Sequence, residues 1–179
     1  MPIGSFSAFG KVIQGVLAST PKSVLDLGIG FGMNGAGVRN WLDLGIEPFK
    51  TKLVGVEVFE NYGNATWDLY DKVHLMDIRD YLKDCEAFDT IIMTDVIEHF
   101  TKEEGIEVLE MMKAKCKVSC IVSTPGVWIE QGAYQGNEHE THRSLWTVED
   151  FKGLGFGIVM DGSLDQFGHM MIVADYIKK

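Results

Sequence analysis

The sequence predicts an α/β protein built on a doubly wound, mostly parallel sheet, and three observations carry that expectation. First, the apolar run Val24-Leu25-Asp26-Leu27 leads into Gly28, Gly30 and Gly32, and a segment of helical character follows from Asn34 to Leu44, stopped by Gly45 and Pro48. Strand, glycine turn and helix in that order make a nucleotide-cradling unit, because glycine reaches backbone conformations closed to other residues and lets a ligand approach the main chain. Second, Lys52 to Phe59 reads as another buried strand, apolar except for Glu57 near its C-terminal end. Ligands of such sheets bind outside the carboxyl ends of the strands. Third, apolar runs and capped or amphipathic segments keep alternating along the chain, seven strands in all.

Composition fits one domain, expected over 1–179. The 46% hydrophobic and 23% charged content is that of a soluble globular protein with enough chain to bury a core. The net charge of -10 is concentrated between 51 and 110, which hold fifteen acids against five bases, while each flank is within one charge of neutral. No basic stripe is present for a phosphate backbone, so nucleic acid is not an expected partner. No membrane span or secretory signal is read. Cys85, Cys116 and Cys120 are an odd, sparse set suited to a reducing cytoplasm, and Cys116 and Cys120 read as small buried hydrophobes. Oligomeric state has no sequence signal.

The remaining elements follow in order. From Phe9, apolar residues at helical spacing (Val12, Ile13, Val16) predict an N-terminal helix over 4–20, lying over the mouth of the site or covering the sheet. Asn61 to Tyr70 read as a short helix with Trp67 and Tyr70 on one face. Val73 to Met76 make a third strand ending in Asp77. Phe88 to Val96 make a fourth, with Thr94, Asp95, Glu98 and His99 at its C-terminal end. Thr101 and Glu104 have capping-box spacing, so a helix starts there and runs to about Lys115. Val118 to Ser123 form the fifth strand, broken by Thr124-Pro125-Gly126. The polar insertion 126–144 is long for a compact domain, which suggests an acceptor-site lid. Thr147 and Asp150 mark another helix start, with Phe151 and Leu154 buried and Gly155 as its stop. Phe156–Met160 and His169–Tyr176 are the last two strands.

Four motifs sharpen the functional reading. The turn is G-x-G-x-G, with Met33 after Gly32, so it lacks the third glycine of the dinucleotide fingerprint G-x-G-x-x-G. With Asp26 two residues ahead, Asp-x-Gly-x-Gly-x-Gly resembles the first motif of class I S-adenosylmethionine-dependent methyltransferases. Asp77-Ile78-Arg79-Asp80-Tyr81 resembles their adenine-binding segment. Asp95-Val96-Ile97-Glu98-His99-Phe100 is similar to the Val-Ile-Glu-His segment of many small-molecule and quinone O-methyltransferases. Ser123-Thr124-Pro125-Gly126 resembles their motif after the fifth strand.

This resemblance spans essentially the whole chain. It implies a Rossmann-like seven-stranded sheet with an antiparallel last strand, S-adenosylmethionine as cofactor, and a small-molecule acceptor methylated at oxygen or nitrogen. Residue by residue, it implies that Gly28, Gly30 and Gly32 wrap the methionine portion, with Asp26 ordering that loop or reaching the amino group through water. Glu57 takes both ribose hydroxyls. Asp77 and the backbone of Ile78 hold adenine, with Val58 or Phe59 against its ring, and Thr94 and Asp95 line the methionine end. The bulky Phe31 between the last two glycines departs from the pattern and is tolerable if its side chain points into the protein, and Asp77 has the alternative of merely capping the next turn.

A base is needed only for a hydroxyl or a protonated amine, and His99 and His142 are the catalytic candidates, with His139 a third by type. For each, a structural or solvated role is the alternative. No resident metal is assigned, although Asp95, Glu98, His99 and His142 faintly resemble the ligand set of metal-assisted O-methyltransferases, including those acting on small-RNA 3′ ends. A non-catalytic S-adenosylmethionine-binding protein stays open. An NAD-dependent oxidoreductase is disfavoured by the missing glycine and by Asp26.

Overall fold

The computed structural model describes residues 2–179. Its strands are β1 (Ser23–Leu27), β2 (Lys52–Glu57), β3 (Lys72–Leu75), β4 (Phe88–Thr94), β5 (Cys116–Pro125), β6 (Gly157–Leu164) and β7 (Met170–Ile177). They form one sheet in the order β3-β2-β1-β4-β5-β7-β6. The first five run parallel, and β7 alone is antiparallel to its neighbours β5 and β6. The last two strands form a hairpin that inserts its second strand into the sheet and leaves β6 at the edge, joined only through β7.

Period-two alternation divides the core between the two faces. Leu25, Ile91, Cys120 and Ala174 belong to one cluster with Leu109, Trp146 and Phe151, whereas Val24, Ile92, Ile121 and Val173 belong to the other with Val12 and Val16. The helices are α1 (Phe6–Ser19), α2 (Met33–Gly37), α3 (Ile78–Asp84), α4 (Lys102–Lys115) and α5 (Val148–Gly153). Helix α1 buries Ala8, Val12, Ile13 and Val16, which settles its role as a cover for the sheet. It starts at Phe6, two residues later than expected, because residues 2–5 leave the helix to run past the glycine turn.

Helices α4 and α5 open with capping boxes at Thr101/Glu104 and Thr147/Asp150, as their spacing predicts. Trp146 is fully buried against α4. Gly105 makes the fit, since a Cβ there would come 2.5 Å from the indole.

Two predicted helices take other forms. The segment expected to be helical from Asn34 to Leu44 is α2 followed by a π-turn over Val38–Leu42. Arg39, in that turn, is buried and donates to the carbonyls of Leu69 and Thr51 and to the carboxylates of Asp43 and Asp71, a set of partners supplied from outside its own helix. The segment 61–70 is two 3₁₀ turns, Glu60–Tyr62 and Ala65–Leu69, in place of one helix. Gly63 and Asn64 divide them, and the Asn64 side chain accepts from the Thr66 amide, a local bond that competes with helix formation. The insertion 126–144 carries only a 3₁₀ turn, Glu138–Glu140, and a bridge between Tyr134 and Asn137. Among the described residues, no helix is long and apolar enough to cross a membrane.

Candidate functional site

A cavity opens at the C-terminal ends of β1 to β4. The turn after β1 contributes Gly28 and Gly30, the end of β2 Glu57 and Val58, the entry to α3 Asp77 and Ile78, and the end of β4 Thr94 and Asp95. Three glycines of the turn have left-handed φ, but they do different things. A Cβ on Gly28 would strike Val96 at 2.4 Å, and one on Gly30 would strike the carbonyl of Pro2 at 2.1 Å. That carbonyl accepts the Phe31 amide at 2.9 Å, so the chain ahead of α1 lies directly on the turn. Gly32 precedes α2 and faces Thr66, away from the cavity lining. Phe31 is 37% exposed and sits edge-on to Tyr62 at 5.5 Å, so the turn tolerates it with its side chain directed away from the core. The turn directs its side chain outward, where Tyr62 covers one edge.

Asp26 is fully buried and does not line the cavity. Its Oδ2 accepts the Tyr70 hydroxyl at 2.6 Å, and that hydroxyl oxygen accepts the Gly35 amide at 3.1 Å. Of its two expected roles, this geometry supports ordering of the loop. Burial pushes the carboxyl up to about 7, against the opposing bond from Tyr70. Asp26 Oδ1 and Asn34 Oδ1 are both buried without a hydrogen-bond partner, while Asn34 Nδ2 donates to Thr94 Oγ1. A proton on Asp26, or reversal of the Asn34 amide, satisfies both oxygens.

Glu57 is buried, with Oε2 accepting the Gly30 amide at 2.9 Å and Oε1 accepting the amides of Val58 and Phe59 at 3.0 Å each. Burial raises its carboxyl, and these backbone donors oppose the shift. The acid of β2 thus holds the glycine turn while facing the cavity. Asp77 does both things considered for it. It caps α3 through the Arg79 amide and also lines the cavity, and the Arg79 guanidinium engages both of its oxygens. Those bonds hold its carboxyl below the usual range.

Beyond Asp95 and His99 lies a second cavity, reached by Glu98 and His142. Glu98 is buried, accepts the Thr124 hydroxyl at 3.0 Å, and is pushed up to about 8 by burial and then by the charge of Asp95. His99 is brought down to about 4, chiefly by burial, and burial also lowers His142. Both are neutral imidazoles near neutrality. His142 Nδ1 donates to the Ile129 carbonyl at 2.8 Å and His99 Nδ1 lies 3.4 Å from the Thr141 carbonyl, which leaves each Nε2 as the lone-pair nitrogen. The two rings are 5.0 Å apart, and ligand atoms of Glu98, His99 and His142 all lie within 4.8 Å of one another. His142 is therefore built into the site, not solvated, and His139 lines the first cavity.

The insertion is fastened over both cavities. Tyr62 donates to Glu140 at 2.9 Å and accepts from Asn137 at 3.2 Å, and the Glu98 carbonyl accepts the amides of Arg143 and Ser144. Tyr62, Asn137, Glu140 and the chain from Pro2 to Gly4 went unnoticed in the sequence. Each acts across a long separation, and no local pattern announces it.

No protein-family model matches the chain, and no curated protein matches it in sequence. Solved structures do match in fold. The magnesium protoporphyrin IX methyltransferase of Synechocystis PCC 6803 with bound SAH is 14% identical, with 97% of this chain and 83% of that one covered at a TM-score of 0.67. The 1,6-didemethyltoxoflavin-N1-methyltransferase of Burkholderia thailandensis, with its substrate and S-adenosylhomocysteine bound, is 15% identical over 96% of this chain and 76% of that one, TM-score 0.66. The methyltransferase domain of bacterial CtHen1 is 20% identical over 95% and 97%, TM-score 0.57. The chain has the fold of these methyltransferases.

Proposed function

We propose that this chain is an enzyme that transfers a methyl group from S-adenosylmethionine to a small-molecule acceptor, at oxygen or nitrogen. One observation carries the reading: the glycine turn and the buried acid of β2 meet on one cavity, joined by the Gly30 amide on Glu57. The donor set fits the cofactor. The backbone of Gly28 and Gly30 lines the cavity where the methionine portion would lie, Glu57 offers a carboxylate to ribose hydroxyls, and Asp77 with the Ile78 backbone offers an acceptor and a donor to adenine. S-adenosylmethionine supplies a methyl already activated on a sulfonium. The chain then has to bind, orient and exclude water. Asp95 and His99 stand between the two cavities, and the fastened insertion contributes a wall to each. Calorimetry tests this: S-adenosylhomocysteine should bind the parent, Glu57→Ala should bind it at least about tenfold more weakly, in keeping with lost charged hydrogen bonds, and NAD should bind neither. Equal affinity in a folded Glu57→Ala would sink the assignment.

A second reading is favoured by the cluster of Glu98, His99 and His142. A base works best with a pKa near the working pH, and His99 at about 4 is a weak one. Neutral imidazoles with Nδ1 held by backbone carbonyls are, in contrast, suited to holding a divalent cation, which polarises an acceptor hydroxyl. In that case His99→Ala and His142→Ala lose activity together and chelator abolishes activity in the parent. Indifference to chelator, with only His99→Ala impaired, returns His99 to the role of base. Calorimetric titration of the parent with Mg²⁺ or Mn²⁺ reads the cation site without reference to turnover.

A further inference from the structure

We propose that the second cavity is the acceptor site and that it takes a ring molecule that is neutral or positively charged, to the exclusion of carboxylates and phosphates. The inference rests on the methyl-transfer reading and deepens it. The cavity has three walls: Glu98 and His99 after β4, Tyr134 and His142 from the insertion, and Phe167 and His169 from the turn between β6 and β7. It meets the first cavity at Gly4, Asp95 and His99, so a molecule seated in it abuts the place where the reactive end of the cofactor belongs.

Charge is partitioned between the two cavities. Arg79 and Arg143 line the first, but among the described residues no lysine or arginine lines the second, which has the carboxyl groups of Asp95, Glu98 and Asp165. Glu98 is 4% exposed and its carboxyl has a hydroxyl, not a cation, as its hydrogen-bond partner. A carboxylate or phosphate brought here would find no lysine or arginine to pair with among the described residues and would lie beside the carboxyl groups of Asp95 and Asp165, whereas an ammonium, or N–H and O–H donors, would find acceptors.

The third wall is tied by hydrogen bonds of its own. Asp165 accepts the amides of Phe167 and His169 and contacts the His169 ring, which fixes the turn and presents the Phe167 and His169 rings 6.2 Å apart. Phe167 remains 55% exposed, an aromatic face at the cavity without a covering partner. A flat ring or a cation suits it. Gln166 in the same turn accepts the Phe6 amide and donates to the Gly4 carbonyl, tying this wall to the segment that lies on the glycine turn.

The test uses three rings of like size: phenol, tyramine and para-hydroxybenzoate, titrated with chelator present into the full chain saturated with S-adenosylhomocysteine. Phenol and tyramine should bind, with para-hydroxybenzoate about tenfold weaker or worse, and added salt should narrow the gap between the charged pair. Phe167→Arg, at an exposed position, should reverse the order of tyramine and para-hydroxybenzoate. Equal binding of those two by the parent, or no binding of any of the three, overturns the proposal. Failure of S-adenosylhomocysteine itself to bind is a separate result, and it removes the underlying reading and this inference with it.

Discussion

Asp26→Asn should make the protein more stable in mild alkali and leave it nearly unchanged in mild acid. The folded carboxyl is raised from 3.8 to about 7, so between those values the native state binds a proton that the unfolded chain has lost. Stability contributed by that proton is complete below about pH 4, drains away as pH rises to about 7, and is flat above. At about 1.36 kcal/mol per pKa unit, the shift corresponds to roughly 4 kcal/mol, an order-of-magnitude ceiling. Asparagine is the isostere of the protonated acid. Its carbonyl can accept the Tyr70 hydroxyl as Oδ2 does now, and its amide can donate to the partnerless Asn34 Oδ1. Urea denaturation at pH 5 and pH 9 checks this. The parent should lose a few kcal/mol more than the variant across that interval. Parallel profiles, or a variant less stable at pH 9, would refute the account of a buried acid held neutral.

Gly105→Ala places a methyl 2.5 Å from the buried indole of Trp146 and 3.1 Å from Ile97. Helix propensity alone favours alanine by up to about 1 kcal/mol, but overpacking costs about 1–3 kcal/mol, so a lower thermal midpoint is expected and a higher one would show that the core yields. Tyr62→Phe removes both hydrogen bonds that fasten Glu140 and Asn137. Limited proteolysis should then cut within 126–144 faster than in the parent, with S-adenosylhomocysteine failing to restore full protection.

What could be read in the sequence was chemistry carried over a few neighbouring residues. The capping boxes of α4 and α5 announce themselves within four positions, and Glu57 stands out as the one acid in an apolar strand. The glycine turn was equally legible, though not the division of labour inside it, because Gly32 and Asp26 are placed by Thr66 and Tyr70, over thirty residues away. The segment 61–70 misled because Trp67 and Tyr70 have helical spacing, whereas their burial is set by contacts with the turn: Trp67 donates to the Gly30 carbonyl and Tyr70 to Asp26. His142 is a catalytic candidate in the sequence, with a solvated loop as the alternative because its neighbours are polar. Its polarity is satisfied inward, by the Ile129 carbonyl and the facing His99.

The place of β7 between β5 and β6 bears on how the molecule assembles. Strand β6 precedes β7 in the chain but pairs with nothing else, so when it emerges during synthesis it has no edge to join. The five parallel strands can pair progressively, while the β5 edge stays open until Met170–Ile177 arrives to close it along seven register positions. That edge is the apolar run around Ile121 and Val122, and an unpaired apolar edge is a template for pairing with another chain. A variant that weakens β7 should therefore aggregate during folding well before its native state becomes measurably unstable, since the exposed edge persists for as long as the last strand is late.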